Sequence, residues 1–463
     1  MRNKITSKVI DNSYSARSGS YAVADESIRM GLDEFGEYSY YKTKTFDYDK
    51  IYPVCSMSNS SQNEDTISDE LFSSISNIKY NPVLGYFLDL YAGHVTEGKY
   101  RENASSGGLA TWIFKELLEK KYIDGVIHVK KSTNKNMLFD YELSHTIQEI
   151  CDGSKTKYYP VEFSRIIKTI KKKPGHYAII GIPSLIMEIR LLSKNDSIIN
   201  DRIKFALGLI CGHQKSTKYA ESMAWQFGIK PGSLKSIDFR KKIDGKSANM
   251  YSTEMVGTIN GKETTVNVNQ EEFFVTNWGH GFFKSKFSDF TDDAMNETAD
   301  ISLGDAWLPE YTKDGLGNNV LIVRNKIISD ILKDGIRNGK IKLDKLTAKD
   351  IIRSQSGLIH HTKDELPYRL YKKDNQNIWR PKKRVSASND LPYLRKKVQD
   401  LREKISAQSH INYKRAVELN DWNYFEKSMR GYVNRYNMLY KIIQLRTMGP
   451  ALFAKKAIKK ILK

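Results

Sequence analysis

Apolar positions in the middle of the chain switch repeatedly between the spacing of strands and the spacing of helices. After Gly108, the segment LATWIFKELLEKKYI repeats apolar residues with helical spacing at Leu109, Ile113, Leu117 and Leu118. Short apolar runs predict strands at 126–130, 177–182 and 205–211, and helical patterns accompany them at 163–170 and 184–192. Strands that alternate with helices predict an α/β sheet with crossover connections.

A different pattern begins after this α/β region. Residues 236–269 form short alternating segments with turn residues at 244–245 and 260–261, which predicts antiparallel strands. The pattern then predicts a further strand at 320–324 and helices at 326–339 and 348–356.

Polar and basic segments occupy the ends of the chain. Residues 56–76 are rich in Ser, Asn, Asp and Glu, and we predict a loop or linker there. Residues 391–445 predict two helices joined near 409–412. Residues 451–463 place apolar side chains on one side and lysines on the other, as in a basic amphipathic helix.

Composition restricts the class of protein. A chain of 463 residues is long enough for two or three domains. No apolar run reaches the roughly 18 residues of a membrane span, and the start has no apolar stretch typical of a secretory signal. The cysteines are Cys55, Cys151 and Cys211, whose wide spacing predicts neither a disulfide framework nor a self-contained zinc site. We therefore expect a cytoplasmic protein.

The positive charge is concentrated at the end of the chain. The net charge is +20, and residues 371–463 contain 23 Lys and Arg against 7 Asp and Glu. This asymmetry favours an anionic partner for the tail. Nucleic acid is not the expected partner, because the tail aromatics have helical spacing and no recognised nucleic-acid motif is present.

Small and hydroxyl residues open the first helix of the α/β region. Ser105, Ser106, Gly107 and Gly108 directly precede it. Amides at a helix N-terminus favour an anion, and glycine allows a phosphate to approach closely. The alternative is a serine cap followed by a glycine turn.

Two other segments contain polar residues beside predicted turns. Ser154 and Lys155 follow Gly153, and Lys155 could pair with a phosphate or remain a solvated surface lysine. Pro183 and Ser184 follow a predicted strand, where α/β sheets place ligands, although Ser184 could simply cap the next helix. No paired histidine and acid near Ser184 favours hydrolase chemistry.

Cys211, Gly212 and His213 follow the next predicted strand. A single thiolate cannot hold a 4Fe–4S cluster, which needs four ligands. The alternatives are a buried cysteine that behaves as a small hydrophobe and a structural histidine. Gly304 and Asp305 follow another strand, and an aspartate there is also typical of a capped turn.

Together, residues 101–108 (RENASSGG), 208–213 (GLICGH) and 299–309 (ADISLGDAWLP) resemble the coenzyme F420 hydrogenase/dehydrogenase beta-subunit family of flavin-dependent, iron–sulfur oxidoreductases. The resemblance extends over about residues 10–330 and implies a mixed-sheet α/β flavin domain, FAD and electron transfer. It implies that Asp305 accepts hydrogen bonds from flavin or ribose. The cofactor-binding residues it implies are Ser105, Ser106, Gly107, Gly108, Ser154, Lys155, Pro183, Ser184, Cys211, Gly212, His213, Gly304 and Asp305.

The cysteines that hold the clusters in that family are mostly absent here. The corresponding positions are Ser15, Ser18, Tyr21, Ser288 and Thr291, while Cys55 matches a remote family cysteine. Hydroxyls are poor iron–sulfur ligands compared with thiolates. We therefore expect no iron–sulfur cluster and interpret the N-terminal region as a degenerate ferredoxin-like remnant.

The resemblance also implies an organisation and a setting. We divide the chain into a degenerate ferredoxin-like region and linker at 1–76, a flavin domain at 77–365 and a basic helical tail at 366–463. The expected function is a cluster-free, FAD-dependent oxidoreductase of surface-polysaccharide biosynthesis, with a nicotinamide or deazaflavin electron donor. The expected partners are a polysaccharide pyruvyl transferase or other glycan enzymes, and an anionic inner-membrane surface contacted by the tail. The alternatives are a non-redox binding or scaffold protein, and a tail helix that docks on the body of the protein.

Overall fold

The computed structural model describes residues 8–42, 46–59, 61–134 and 136–448. The amphipathic segment predicted at 451–463 lies outside these residues. The strands are β1 Ile28–Leu32, β2 Tyr38–Lys42, β3 Lys79–Asn81, β4 Gly85–Phe87, β5 Asp89–Val95, β6 Gly125–Lys131, β7 Phe139–Ser144, β8 Tyr177–Gly181, β9 Ile203–Leu209, β10 Leu234–Lys242, β11 Tyr251–Ile259, β12 Lys262–Asn269, β13 Ile301–Asp305, β14 Asn319–Val323 and β15 Ile341–Lys345.

Helices connect and cover these strands. They are α1 Ser20–Ala24, α2 Tyr48–Ile51, α3 Glu64–Phe72, α4 Leu109–Glu119, α5 Ile147–Asp152, α6 Ser164–Lys172, α7 Pro183–Asn195, α8 Ser197–Arg202, α9 Thr217–Gln226, α10 Pro309–Thr312, α11 Lys326–Arg337, α12 Ala348–Ser354, α13 Ser356–Ile359, α14 Leu366–Asn375, α15 Tyr393–Leu419 and α16 Trp422–Met448. A π-helical turn, His360–Asp364, joins α13 to α14.

The centre of the fold is an eight-stranded mixed sheet. Its order is β15-β5-β14-β13-β9-β8-β6-β7. Strands β13, β9, β8 and β6 are parallel, and antiparallel strands extend both edges. The predicted α/β sheet with crossover connections is therefore confirmed. A separate antiparallel sheet, β10-β11-β12, confirms the pattern seen in 236–269.

Successive residues of the parallel strands enter different cores because side chains alternate across a sheet. In β6, Val126 packs with α4 and α11, whereas Ile127 packs with α6 and α7. Ala178 and Ile179 of β8 divide in the same way. Helices consequently cover both faces of the sheet. A ligand can enter at the ends of the strands.

The predicted loop at 56–76 is wrong in its second half, where the structure has helix α3. The Asn63 side chain accepts a hydrogen bond from the amide of Thr66 at 3.0 Å and caps the helix. Ile67 and Phe72 are its buried apolar contacts. Two buried apolar residues one to two turns apart are enough to bury one face of the helix, although the surrounding residues are polar.

The C-terminal pair of helices is confirmed, but the predicted joint at 409–412 is wrong. Helix α15 continues through that segment, and Ser409 is fully buried there with its hydroxyl donating to the Ser406 carbonyl at 2.7 Å. The chain reverses at Asn420, which has a left-handed φ of 49°. A local hydrogen bond thus accommodates the polar side chain of Ser409 inside the helix.

The α15–α16 hairpin packs on the second sheet and helix α9. Tyr413 and Phe425 of the hairpin share one apolar core with Phe239 and Met255 of the sheet. This part of the tail therefore docks on the body of the protein. Within the described ranges, no helix combines the length and apolar character needed to cross a membrane.

Candidate functional site

A cavity of about 310 Å³ lies at the carboxyl ends of β6, β8, β9 and β13. Ile180, Leu209 and Leu303 line it from three of these strands, and the start of α4 lines it from the side. Parallel strands present their carboxyl ends at one edge of a sheet, so segments distant in the sequence meet there.

The glycines before α4 are required by the tight packing of the turn. Gly108 has a left-handed φ of 83°, and a Cβ there would lie 2.7 Å from the Tyr100 carbonyl oxygen. A Cβ on Gly107 would lie 2.6 Å from the carbonyl oxygen of Gly93 in β5. Any larger residue would push the start of α4 away from the sheet.

This packing leaves helix amides beside the cavity. The first hydrogen bond of α4 runs from the Trp112 amide to the Gly108 carbonyl at 3.2 Å. The first-turn amides of Ala110 and Thr111 therefore have no intrahelical acceptor, and both residues line the cavity. This end of the cavity suits an anion.

Hydrogen bonds join the Ser154–Lys155 turn to the serines before α4. The Ser105 hydroxyl accepts from the Thr156 amide at 3.0 Å, and the Ser154 hydroxyl donates to the Asn103 carbonyl at 3.0 Å. Lys157 donates from within the turn to the carbonyls of residues 153–155. Burial lowers the pKa of Lys157 to about 7.

Lys155 itself is already paired in the structure. It has a left-handed φ of 75°, and its ammonium forms a salt bridge with Asp238 of the second sheet. Because this salt bridge partly neutralises the ammonium, Lys155 attracts an anionic ligand less strongly than the sequence suggested. The turn nevertheless lines the cavity through Ser154 and Lys155.

Asp305 also has a protein partner. The Arg240 guanidinium, on β10, donates to its carboxylate at 2.7 Å. Arg240 is 5% exposed and lies against the Tyr251 and Trp307 rings at 5.0 and 5.7 Å, while its Nε has no hydrogen-bond partner. A cation with an uncommitted donor therefore stands at the cavity wall beside Asp305.

An aromatic wall lies at the end of the cavity near His213. The His213 ring stacks on Trp278 with centroids 4.9 Å apart, and neither ring nitrogen of His213 has a hydrogen-bond partner. Burial holds the pKa of His213 well below its usual value, so the ring is neutral. Tyr158 meets Trp278 edge-on at 4.8 Å.

Cys211 is held as a thiol next to this wall. Its Sγ donates to the His213 carbonyl at 3.4 Å, and burial raises the pKa of the thiol. A protonated, buried thiol is a weak nucleophile, as the hydrophobic alternative for this cysteine implies.

The structure brings most of the predicted site residues to one cavity. Those that line it are Ser105, Ser106, Gly108, Ser154, Lys155, Cys211, His213, Gly304 and Asp305. Those that do not line it are Gly107, Pro183, Ser184 and Gly212.

The predicted site residues that do not line the cavity contribute to the packing of the fold. Pro183 is the first residue of α7, and that helix begins after Ile182 without a side-chain cap, so the alternative of Ser184 as its cap is wrong. Gly212 packs so closely that a Cβ would lie 2.2 Å from the Leu358 side chain.

Sequence analysis missed several residues that line the cavity, which are Lys157, Tyr158, Lys215, Arg240 and Trp278. Lys157 and Tyr158 follow the Ser154–Lys155 turn, and Lys215 follows His213, so proximity to a motif could have identified them. Arg240 and Trp278 come from the second sheet and the loop after it, where no local pattern marks a ligand site.

A buried carboxylate, Glu188, binds one of the N-terminal positions at which the resemblance places a family cysteine, Ser18. Glu188 of α7 is completely buried, and the hydroxyls of Ser18, Ser20 and Ser56 all donate to it, the last two at 2.8 and 2.6 Å. The Ser56 amide donates as well, at 3.2 Å. Burial raises the pKa of Glu188.

Side chains fill the rest of this region. The Tyr21 hydroxyl donates to Cys55 Sγ at 2.7 Å, and the Ser15 and Tyr40 hydroxyls are 2.6 Å apart. The rings of Tyr21 and Tyr40 stack with centroids 4.7 Å apart. The polar atoms of Ser15, Ser18, Tyr21 and Cys55 therefore all bind protein groups. Among the described residues, no cluster of three or more His, Cys, Asp or Glu is arranged to hold a metal ion.

The fold and the cavity define an α/β protein with a cavity at the carboxyl edge of a mixed sheet. Two sequence models match it: the N-terminal region of the coenzyme F420 hydrogenase/dehydrogenase beta subunit over residues 90–168 and its C-terminal region over residues 175–349. Together they span more than half of the chain. The chain belongs to the coenzyme F420 hydrogenase/dehydrogenase beta-subunit family, which makes it an oxidoreductase-type protein.

Among solved structures, one similar chain belongs to the xenon-derivatised F420-reducing NiFe hydrogenase complex from Methanosarcina barkeri. It is 17% identical, with a TM-score of 0.48, and the match covers 65% of this chain and 97% of that chain. The search of curated proteins found no match.

Proposed function

We propose that this protein binds FAD in the cavity at the carboxyl edge of the sheet and acts as a flavin-dependent oxidoreductase without an iron–sulfur cluster. The convergence of the Ser105–Gly108, Ser154–Lys155, Cys211–His213 and Gly304–Asp305 segments on one cavity supports this proposal. These segments are far apart in the sequence, and family members are oxidoreductase-type proteins.

The residues present suit a flavin nucleotide. The Ala110 and Thr111 amides and the Ser105 hydroxyl would hold the pyrophosphate, because this end of the cavity combines free helix amides with hydroxyls. Tyr158 and Trp278 contribute apolar aromatic surface to the cavity wall, which suits a ring system. Arg240, whose Nε has no partner, adds a positive donor on the same wall.

A bound flavin supplies two-electron hydride chemistry, which needs no iron. The chain binds and orients the reactants, and its neutral His213 offers ring nitrogens without competing partners. We propose a nicotinamide or deazaflavin as the electron donor. The Glu188 network supports a cluster-free protein, because the side chains at the former ligand positions are engaged with protein groups.

The biological setting is a finer part of the proposal and rests on the resemblance alone. It places the reaction in surface-polysaccharide biosynthesis, with a polysaccharide pyruvyl transferase or other glycan enzymes as partners. Residues 451–463 would contact an anionic membrane surface at its cytoplasmic face.

The test is flavin uptake by full-length protein purified without oxygen. We expect a visible flavin spectrum, or saturable uptake of added FAD, with no stoichiometric iron. Ala110→Phe places a large side chain on the cavity wall and is expected to weaken FAD binding at least tenfold. Ala407→Phe, on the exposed side of α15, is the matched control and should bind FAD like the wild type.

Each outcome has a distinct meaning. Colourless protein that takes up no FAD would overturn the enzyme proposal and favour the scaffold alternative. Stoichiometric iron would show that the former cysteine positions still support a cluster. Equal FAD binding by Ala110→Phe and Ala407→Phe, with unchanged thermal unfolding, would place the flavin outside this cavity.

A further inference from the structure

We infer that Lys215 forms an anion-binding subsite at the end of the cavity lined by His213 and Trp278. The ligand chemistry is a delocalised anion, which can be the carboxylate or phosphate of a small substrate or the reduced flavin ring. This inference deepens the proposed function, and only its flavin experiment depends on that function.

Lys215 is a buried lysine without a carboxylate partner. It is 3% exposed and lines the cavity. Its ammonium donates to the Phe282 carbonyl at 2.7 Å, and no Asp or Glu among the described residues pairs with it or influences its charge. An ammonium has three donors, so hydrogen-bonding capacity remains.

Several other buried lysines have acidic partners. Lys115 pairs with Glu116 at 2.8 Å, Lys383 with Asp292 at 2.8 Å, and Lys284 with Asp289. The contrast matters because burying an unpaired charge is costly, and proteins normally pair such groups. An anion entering the cavity would supply the partner that Lys215 lacks.

Neighbouring groups hold Lys215 in place without neutralising it. Its ammonium lies 4.9 Å from the Trp278 ring centroid and 5.2 Å from that of Tyr219. These aromatic faces stabilise a cation and fix its position. Trp278 in turn stacks on His213, a neutral ring whose one N–H donor has no hydrogen-bond partner.

The positions of the other cavity cations favour Lys215 for this role. Lys155 is committed to Asp238, and Arg240 is committed in part to Asp305. Lys157 donates to three backbone carbonyls. Lys215 is thus the cavity lysine with both an unmatched charge and donors to spare among the described residues.

The subsite should depend on pH in a defined direction. Burial and the charge of Lys284 together lower the pKa of Lys215 to about 7, and Cys211 opposes this shift. The titratable and charged groups around Lys215 are Lys284, Cys211, His213, Tyr219, His280 and Arg402. Lys215 is charged below its pKa, so anion affinity should be greatest below pH 7 and fall about tenfold per pH unit well above it.

The experiment compares wild type with Lys215→Met, Lys215→Arg and Lys218→Met. Lys218 is a control from the same segment that pairs with Glu221 outside the cavity lining. Protein without flavin is titrated calorimetrically with inorganic phosphate and with acetate at pH 6 and pH 8.5. Flavin-loaded protein is used to measure the two-electron reduction potential.

A substrate subsite predicts phosphate or acetate binding that weakens at least tenfold at pH 8.5, is lost in Lys215→Met and is kept in Lys218→Met. Contact with the reduced ring instead predicts a lower reduction potential in Lys215→Met, restored in part by Lys215→Arg. Unchanged anion binding and unchanged potential in Lys215→Met would overturn the inference. If the wild type takes up no FAD, the proposed function fails, while the phosphate titration still tests Lys215.

Thermal unfolding separates this role from a structural one. Lys215→Met removes an unpaired buried charge, so the variant without ligand should unfold at or above the wild-type temperature. A strong decrease, with anion binding preserved in the folded fraction, would instead make Lys215 a structural residue.

Discussion

The hydrogen bonds of Glu188 change how we interpret the positions where the family has cysteines. From the sequence, Ser15, Ser18 and Tyr21 are only poor substitutes for thiolates. In the structure, Ser18 donates to Glu188, and Tyr21 donates to Cys55. The Ser18 hydroxyl is therefore bound by a buried carboxylate, which acts as an acceptor for hydroxyls.

Glu188→Ala removes the acceptor shared by Ser18, Ser20 and Ser56. Buried donors left without acceptors are expensive, so we expect the free energy of unfolding to fall by about 3 kcal/mol in denaturant titration. Glu188→Gln keeps one acceptor oxygen and should lose only about 1 kcal/mol. Glu70→Gln, on an exposed surface beside Lys194, is the control and should change stability by less than about 0.5 kcal/mol.

The same variants have an expected pH dependence. Burial raises the pKa of Glu188, so the folded state holds its proton more tightly than the unfolded state. Stability from this group is full below the ordinary carboxyl pKa and decreases as pH rises through the raised pKa. Glu188→Gln should remove that decrease. A wild-type loss of stability that is identical in Glu188→Gln would assign the pH dependence to another group.

Local sequence patterns identify some residues of the candidate site but not others. Gly108 was identifiable because a left-handed turn before a helix has a local signature. Arg240 was not, because its role depends on Asp305, which is far away in the sequence. The commitment of Lys155 to Asp238 was hidden for the same reason.

The α15–α16 hairpin shows that polar residues alone do not mark where a helix ends. Both Asn420 and the segment 409–412 are polar, but only Asn420 adopts the left-handed conformation that ends a helix. Ser409 remains helical because its hydroxyl finds an acceptor in the preceding turn.

Asn420→Gly and Asn420→Ala test this boundary. Glycine tolerates a left-handed φ, so Asn420→Gly should be close to neutral, whereas Asn420→Ala should destabilise the protein by about 1 kcal/mol in denaturant titration. Asn434→Ala is the control, because Asn434 is exposed within α16 and alanine favours helix there, so it should be neutral or slightly stabilising. Equal effects of the two alanine substitutions would contradict the assigned role of Asn420.

For the whole molecule, a buried ionic network joins the region after α14 to the body. Lys383 pairs with Asp292 at 2.8 Å, and Arg384 pairs with Glu297 at 2.9 Å and with Asp65 at 2.7 Å. Asp292 and Glu297 are almost completely buried. Three parts of the sequence are therefore linked, and water is excluded from the pairs with Asp292 and Glu297 but not from the pair with Asp65.

Arg384→Met should destabilise the whole protein because it leaves buried carboxylates without their partner. We expect a loss of about 3 kcal/mol in the free energy of unfolding. Arg380→Met, whose partner Asp374 is largely exposed, should lose less than about 1 kcal/mol. Circular dichroism and intrinsic fluorescence should report one common unfolding transition in the wild type.

The ionic network should also weaken in acid. Burial opposes ionisation of Asp292, but Lys383 and Arg384 hold its pKa below the usual value. Its contribution is therefore present above the ordinary carboxyl pKa and is lost as pH falls through the lowered pKa. The difference between wild type and Arg384→Met should shrink over that acidic range, and a constant difference would contradict the pairing.

The sequence by itself determined the alternation of strands and helices, the mixed α/β class and the segments that reach the cavity. The alternation and the class follow from periodicity, which acts between residues close in the chain, whereas the segments at the cavity were identified through the resemblance to the family. Only the tertiary structure decided that α3 forms, that Glu188 binds the hydroxyls of Ser18, Ser20 and Ser56, and that Lys215 lacks a counter-charge. Burial and charge pairing depend on partners distant in sequence, and their free energies exist only once the chain has brought those partners together.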